Sequence, residues 1–165
     1  MGANKAHTAS YDKPHSVRIE QVLLRYHRAM ELDLRKLKEP IITDSGTLGI
    51  LDSPELPFQP KRLYWIHSVP VGFTRGNHAH KKLQQFFLLI KGSMGIELSD
   101  GHETKNIVMH ENREILVVSP GYWRKLFNFS FDAIVVVGAD AIYDPQDYIH
   151  DWEEFLNWKK ATREN

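Results

Sequence analysis

From residue 41 onward, short apolar runs alternate with turn residues in a pattern typical of antiparallel β-sheet. The runs are rich in Ile, Val, Phe and Tyr, and Gly, Pro, Asp and Asn separate them. Gly92 and the Asp100, Gly101 pair mark tight connections, and Pro120 with Gly121 turns the chain. The pattern predicts strands at residues 47–51, 62–67, 85–91, 93–98, 104–108, 114–118, 123–128 and 133–139. Strands this short and closely spaced indicate a mainly β fold, an antiparallel jelly-roll barrel.

Two amphipathic segments flank the β region. Apolar residues recur at three- and four-residue steps from Ile19 to Leu37, which predicts a helix that Ser16 caps and Pro40 ends. Residues 1–15 are polar and are expected to form a flexible arm. Residues 144–158 predict a C-terminal helix, whose aromatic surface must pack on this barrel or on a partner subunit. The predicted organisation is an arm and helix over residues 1–45, followed by a barrel with its helix over residues 46–160.

Composition restricts the classes of function. The chain has 165 residues, a size for one ordinary domain, and 21 basic residues balance 21 acidic ones. Without a bulk positive field, binding to nucleic acid or to an anionic membrane is disfavoured. The absence of cysteine excludes disulfides and thiolate nucleophiles. No apolar run approaches the length of a membrane span, and the N-terminus lacks the apolar segment of a secretory signal, so a cytoplasmic protein is expected.

The most informative segment contains two histidines separated by one small residue. In a strand, His78 and His80 point to the same side while Ala79 points away. The spacing resembles the first cupin motif, in which two histidines and a glutamate bind a metal, but Gln85 occupies the glutamate position. The second cupin motif is echoed by residues 120–128, where Arg124 occupies the histidine position. An amide and a permanent cation in place of two ligands predict that no metal is bound.

Without a metal, two convergent histidines suit general acid–base catalysis, because imidazole gains and loses protons near neutral pH. Several cations lie near the pair or in the second motif, and together they make a phosphate-bearing substrate plausible. They are Arg62, Arg75, Lys81, Lys82 and Arg124.

Several longer strings resemble the sugar-nucleotide 3,4-ketoisomerases, a family described as WxcM-like. They are KRLYWI at residues 61–66, RGNHAHK at 75–81, PGYW at 120–123, NFS at 128–130 and YDPQDYI at 143–149. The resemblance covers residues 47–158 and leaves the predicted N-terminal helix without a counterpart.

The resemblance implies a cupin-like barrel without metal or other cofactor, dimeric through exchanged strands. It also implies a dTDP-linked 4-keto-6-deoxyhexose as substrate, with the carbonyl moving from C4 to C3 in deoxy- or amino-sugar biosynthesis for surface polysaccharide. By the same analogy His80 is the base that removes the C3 proton, and His78 is a second acid–base or orienting group. A family tyrosine before the pair corresponds to Tyr64, although His67 is an alternative for that place.

The resemblance extends to the polar residues around the pair. Arg75 and Lys82 are expected near the diphosphate or the developing enediolate. Arg124 stands where many relatives carry histidine, so the substrate or the stereochemical outcome is expected to differ. The complete set of expected substrate-binding residues is Arg62, His67, Arg75, Lys82, Gln85 and Arg124.

Three other functions compete with this interpretation. A 3,5-epimerase of related jelly-roll shape would also use histidine on a keto sugar, although the close H-A-H spacing favours isomerisation. A non-catalytic module that binds a sugar or partners an acyl carrier would use His78 and His80 only for hydrogen bonds. A metal-dependent cupin, such as a dioxygenase, would need stoichiometric metal in the purified protein.

Overall fold

The computed structural model describes residues 30–163, of which residues 31–163 form one compact unit. The predicted arm, and the predicted helix as far as residue 29, lie outside the described residues. The strands are β1 (Asp33–Lys36), β2 (Ile41–Thr43), β3 (Gly46–Leu48), β4 (Arg62–His67), β5 (Arg75–His80), β6 (Gln85–Lys91), β7 (Ser93–Ser99), β8 (Thr104–His110), β9 (Glu114–Val118), β10 (Trp123–Phe127), β11 (Ile134–Ala139) and β12 (Tyr148–Ile149). Short 3₁₀ turns occupy Ser53–Glu55 and Pro145–Asp147, and one helix, α1, runs over Trp152–Arg163.

The strands form two five-stranded antiparallel sheets and a separate hairpin. The first sheet has the order β1-β9-β6-β11-β4, and the second has the order β12-β5-β10-β7-β8. Strands β2 and β3 pair only with each other in this part of the chain. The prediction of a mainly β, antiparallel fold with a C-terminal helix is therefore confirmed.

Side chains alternate between the two faces of each sheet, and this alternation separates the core from the outer layers. The inner faces carry buried apolar residues from both sheets: Phe87, Leu89, Val135 and Val137 from the first, and Met94, Ile96 and Leu126 from the second. On the outer face of the second sheet, Ala79 and Ile149 are covered by Phe155 of α1. The helix therefore braces strands β5 and β12 from behind, and these strands carry His78, His80 and Tyr148 of the site described below.

The hydrophobic pattern predicted the central strands well. Strands β4, β6 and β9 have the predicted bounds, and β7, β8, β10 and β11 differ by at most two residues at an end. Strand β5 is absent from the predicted set because its polar sequence, RGNHAH, has almost no apolar alternation. Backbone hydrogen bonds to β10 and β12 hold it in the sheet, although its composition does not predict a strand.

The prediction that the N-terminal helix continues to Pro40 is wrong over its last part. Residues 33–36 form strand β1, which pairs with β9 in register from Asp33 opposite Val117 to Lys36 opposite Glu114. All four residues are exposed, and Asp33 forms a two-pronged ion pair with Arg35. A charged strand at a sheet edge gains backbone hydrogen bonds there without needing an apolar face.

The predicted C-terminal helix begins later than residue 144. Asp144 caps the turn Pro145–Asp147 by accepting a hydrogen bond from the Gln146 amide, 2.9 Å away. Strand β12 then pairs with β5, and α1 begins at Trp152, after Asp151 accepts a bond from the Glu154 amide at 2.8 Å. Asp151 is the better N-terminal cap because the residues before it are held in the sheet.

Candidate active site

Polar side chains from both sheets meet on the inner faces. His78 and His80 lie on β5, and Arg124 lies directly opposite His78 on the neighbouring strand β10. Gln85 on β6 and Tyr64 on β4 approach from the other sheet. These five residues are called the polar cluster below.

The side chain of His80 is fully buried and has one hydrogen-bond partner among the described residues. Its Nδ1 lies 2.9 Å from Oδ2 of Asp147, and its Nε2 has no partner. Because an ionised carboxylate only accepts, the proton of neutral His80 resides on Nδ1 and Nε2 presents a lone pair. Burial, and then the Arg124 cation, lower the pKa of His80, so the free imidazole is neutral at pH 7.

Asp147 is held by backbone donors as well as by His80. Its Oδ1 accepts from the Lys82 amide at 2.7 Å, and its Oδ2 accepts from the Leu83 amide at 3.2 Å. These bonds tie the turn after Asp144 to the end of β5. The carboxylate is therefore fixed where it can orient the imidazole of His80 and stabilise the imidazolium that forms when a proton arrives.

His78 has its own tautomer fixed by the backbone. Its Nδ1–H donates to the carbonyl of Gly76 at 3.0 Å, which leaves Nε2 as the acceptor. Burial, with the Arg124 cation second, lowers the pKa of His78 to about 4. Gly76 has φ of 81°, and a Cβ there would lie 2.8 Å from the Arg124 carbonyl oxygen, so the bend that aims His78 requires glycine.

Arg124 is a buried cation without an acidic hydrogen-bond partner. Its Nη1 donates to Oε1 of Gln85 at 2.9 Å, its Nη2 donates to the Tyr122 carbonyl at 2.9 Å, and its Nε has no partner among the described residues. It is 1% exposed. Burial lowers its pKa to about 10, which leaves it charged at neutral pH. A buried charge that is not paired is costly, so this site is suited to an anionic ligand.

Gln85 connects Arg124 to Tyr64 across the two sheets. Its Nε2 donates to the Tyr64 hydroxyl at 2.8 Å while its Oε1 accepts from Arg124. Burial raises the pKa of Tyr64 to about 12, so the phenol stays protonated.

A wall of aromatic rings completes the site. The Tyr148 ring lies 4.2 Å from that of His80 and 5.0 Å from that of His78, measured between centroids, and His150 stacks on Tyr148 at 5.4 Å. The guanidinium of Arg62 lies 4.8 Å from the centre of the Tyr64 ring. The site thus combines two neutral imidazoles, the protonated phenol of Tyr64 and a buried cation.

Comparison with known proteins identifies the family to which this arrangement belongs. The model of the family described as WxcM-like, C-terminal (FdtA) matches residues 30–160. A TDP-4-oxo-6-deoxy-alpha-D-glucose-3,4-oxoisomerase from Aneurinibacillus thermoaerophilus is 32% identical over 129 residues, which are 78% of this chain and 93% of the relative. The chain belongs to the WxcM-like family.

Solved structures agree with this membership. A 3,4-ketoisomerase from Helicobacter canadensis is 33% identical, with a TM-score of 0.74, over 80% of this chain and 99% of that one. QdtA, a sugar 3,4-ketoisomerase from Thermoanaerobacterium thermosaccharolyticum in complex with TDP, is 32% identical, with a TM-score of 0.73, over 79% and 96% of the two chains. Another structure of that enzyme contains TDP-4-keto-6-deoxyglucose.

A more distant structural match shows the fold alone. The RmlC epimerase from Mycobacterium tuberculosis is 17% identical, with a TM-score of 0.60, over 73% of this chain and 71% of that one. The WxcM-like chain therefore shares its cupin-like architecture with an enzyme of another class.

Four of the substrate-binding residues predicted for this WxcM-like chain lie outside the polar cluster. They are Arg62, whose guanidinium lies over the Tyr64 ring, and His67, Arg75 and Lys82. His67 is exposed on the face of β4 opposite to Tyr64, where its Nδ1 is 2.9 Å from the Ser68 hydroxyl. That geometry favours Tyr64 over His67 for the family tyrosine. Arg75 and Lys82 are exposed, and the described residues give neither side chain a bond to the cluster. Their contacts with substrate stay predictions.

Sequence reasoning missed residues that the string YDPQDYI at 143–149 contains. This string helped to identify the WxcM-like family, but no role was assigned to Asp147 or Tyr148, or to His150 just after it. The expected helix over this segment hid the signal, because helical spacing does not place Asp147 and Tyr148 beside His80. Pro145, with Asp144 directly before it and Asp147 two residues after it, was the available indication of a turn.

The cupin-like architecture raises the question of a metal, and the cluster of this WxcM-like chain does not fit one. The positions that would complete a ligand set with His78 and His80 contain an amide and a guanidinium bonded to each other. Among residues 30–163, no group of three or more His, Asp or Glu side chains is arranged as a metal site. The Arg124 cation, which is held in place by its hydrogen bond to Gln85, would repel a divalent metal ion.

Proposed function

We propose that the chain is a 3,4-ketoisomerase that moves the carbonyl of a dTDP-linked 4-keto-6-deoxyhexose from C4 to C3. The relatives that cover most of this chain are named for this reaction or for close variants of it. The supporting feature of the site is the His80 imidazole, which Asp147 orients and whose Nε2 is left without a partner among residues 30–163. We also infer that the product serves the synthesis of deoxy or amino sugars for surface polysaccharide.

The first half of the reaction removes a proton from carbon. Nε2 of His80 takes the C3 proton, and the electron pair of that C–H bond forms a C3–C4 double bond. The C4 carbonyl oxygen becomes negatively charged and receives a hydrogen bond, then a proton, from Tyr64, whose raised pKa keeps it protonated beforehand. The Arg124 guanidinium offsets the negative charge of the enediolate or of the diphosphate.

The second half returns a proton to the neighbouring carbon. The C3 hydroxyl loses its proton to a base, for which the neutral Nε2 of His78 is suited, and a C3 carbonyl forms. The double-bond electrons take the proton from the His80 imidazolium at C4, so that His80 ends neutral. The proton that His78 took up then passes through solvent to the Tyr64 phenolate, which restores both groups for the next turnover. The anion beside Arg124 also opposes the main electrostatic cause of the low pKa of His80, so substrate binding is expected to strengthen this base.

Proton NMR in deuterated water tests this proposal. Chelator-treated protein is incubated with dTDP-4-keto-6-deoxyglucose, and a 3-keto product is expected to accumulate, with deuterium at C4 to the extent that the proton exchanges with solvent. Exchange at C5 or inversion at C3 and C5 would instead indicate an epimerase. Bound substrate that shows neither product nor exchange would indicate a binding module.

We further propose that the protein is a homodimer with exchanged strands. The β2–β3 hairpin has no other strand partner among the described residues, and all six of its strand residues are exposed, including Ile41, Ile42 and Leu48. A two-stranded hairpin is at most marginally stable alone in water, so a second copy is a suitable partner for it.

Among the described residues no helix is long and apolar enough to cross a membrane.

A further inference from the structure

We propose that Gln85 is a positioning residue that fixes the direction of the hydrogen bond at Tyr64, so that the tyrosine hydroxyl can only donate toward the substrate. This inference rests on the proposed ketoisomerase function. It assigns the glutamine a role in proton placement through Tyr64, in place of the direct substrate binding expected from the sequence.

The first step is the orientation of the Gln85 amide, which Arg124 determines. A guanidinium has only donors, so the atom of Gln85 that lies 2.9 Å from Nη1 of Arg124 must be the carbonyl oxygen. The amide nitrogen therefore faces Tyr64, 2.8 Å from its hydroxyl oxygen. Gln85 is 2% exposed, so the site gives the side chain little room to turn over.

The second step is the direction of the Tyr64 hydroxyl proton. The amide nitrogen carries two hydrogens and no acceptor, so the hydroxyl oxygen must accept from it. The phenolic hydrogen then points away from Gln85, and it is available to a substrate oxygen as acceptor. The raised pKa of Tyr64, about 12, agrees with a group that remains a donor.

The third step is what a carboxylate at this position would do. Glutamate at position 85 would accept a hydrogen bond from the Tyr64 hydroxyl and would form an ion pair with Arg124. Both groups would then be withdrawn from an anionic substrate. The amide instead leaves the hydrogen of Tyr64 and the charge of Arg124 directed at the substrate oxygen. The same position that would carry a metal ligand in other cupin-like sites here sets the polarity of a hydrogen-bond chain.

The test is the isosteric variant Gln85→Glu, with Gln84→Glu as a matched control. Gln84 carries the same amide one residue earlier, and its Nε2 is 3.5 Å from the Ser119 hydroxyl, outside the polar cluster. We expect Gln85→Glu to lower kcat about 100-fold, the effect of losing one oxyanion donor, and to raise the Kd for TDP as well, because the new carboxylate pairs with Arg124. Gln84→Glu is expected to stay within about twofold of wild type. Unchanged kcat in Gln85→Glu would overturn the inference.

A second background isolates the route through Tyr64. If Gln85 acts by orienting that hydroxyl, Gln85→Met, which adds no charge beside Arg124, should change kcat by less than about threefold when it is added to Tyr64→Phe, because the two changes remove one interaction. An equal loss of kcat in both backgrounds would show that Gln85 acts in another way. Wild-type protein without ketoisomerase activity would refute the proposed function itself, whereas active wild type with an unaffected Gln85→Glu variant would refute only this inference.

Gln85→Met covers the case in which a buried carboxylate prevents folding. Methionine has similar length and no polar group that directs Tyr64, so the hydroxyl is free to rotate. We expect kcat to fall about tenfold, less than for the variant that reverses the bond. Wild-type kcat in a folded Gln85→Met protein would overturn the inference.

Discussion

At the scale of single residues, the chemistry depends on which atom carries each proton. Every polar side chain of the cluster has a neighbour that can only donate or only accept: Asp147 for His80, the Gly76 carbonyl for His78, and Arg124 for Gln85. These constraints leave two imidazole lone pairs and one phenolic hydrogen directed away from the protein groups that hold them. Acid and base are therefore assigned before a substrate binds.

Replacement of His80 by asparagine tests the base directly. The amide retains some hydrogen bonding but cannot take a proton from carbon, so isomerisation should fall by about 10²- to 10⁴-fold. Titration with TDP should give a Kd near that of wild type, because Arg124 is untouched. Turnover at the wild-type rate would favour a binding module, and loss of TDP binding would indicate a structural role.

Asp147→Asn tests the orientation of that base. The asparagine amide can donate to Nδ1 of His80 and thereby stabilise the tautomer with its proton on Nε2, which cannot act as a base. We expect kcat to fall about 10²-fold or more with little change in Kd for TDP. The exposed Asp132→Asn, whose carboxylate faces Lys91 at 3.7 Å, is the matched control and should retain activity. An Asp147→Asn enzyme within about threefold of wild type would contradict the role of Asp147.

The lowered pKa of His78 links stability to pH. In the unfolded chain its pKa is near 6.5 and in the folded protein about 4, so the unfolded state binds more protons between these values. The free energy of unfolding should therefore decrease as the pH falls from 6.5 toward 4 and should lose no more from this residue below 4. The His78 share is about 2 kcal/mol after allowance for its partial exposure. Urea titrations of wild type and His78→Gln measure it, and equal slopes against pH would contradict it.

At the scale of secondary-structure elements, apolar alternation predicted the strands whose side chains build the core. The predicted and observed bounds of β6 and β9 are identical because their buried faces consist of Phe, Leu, Ile and Val. Two of the elements that contribute to the site, β5 and β12, were absent from the predicted strands, because pairing within the sheet stabilises them and their inward side chains are polar. The pair His78 and His80 was nevertheless found from motif spacing, whereas Asp147 needed the turn at Pro145, which helical periodicity obscured.

Helix α1 supports the site from behind, and Phe155 tests this support. Its ring is fully buried against Ala79 and Ile149, whose neighbours on β5 and β12 carry the site residues. Phe155→Ala should lower the free energy of unfolding by about 3–5 kcal/mol through the cavity that it leaves. Asn157→Ala on the exposed side of the helix should cost less than about 0.5 kcal/mol. Chemical denaturation checks both, and equal stabilities would mean that the helix does not brace the strands.

At the scale of the whole molecule, the exposed apolar surface concerns assembly. On β4, the edge strand of the first sheet, Leu63 is 57% and Trp65 66% exposed, on the face opposite to Tyr64. The β2–β3 hairpin adds Ile41, Ile42 and Leu48 to the apolar residues left uncovered in this part of the chain. Large apolar side chains clustered at an edge strand and a lone hairpin are typical of a surface that another chain covers.

A dimer with exchanged strands should have about twice the 19.2 kDa mass of the chain by light scattering. The variant Ile42→Asp places a charge on the most exposed of the hairpin's large apolar residues. It should weaken association because the charge would be buried at the interface. Asp44→Asn, in the turn of the same hairpin, changes charge without adding a buried one and is the control. A wild-type protein that runs as a monomer at micromolar concentration would refute the dimer. A dimer that Ile42→Asp leaves intact would mean that the hairpin is not the exchanged element, and the outer face of β4 would then be the next surface to change.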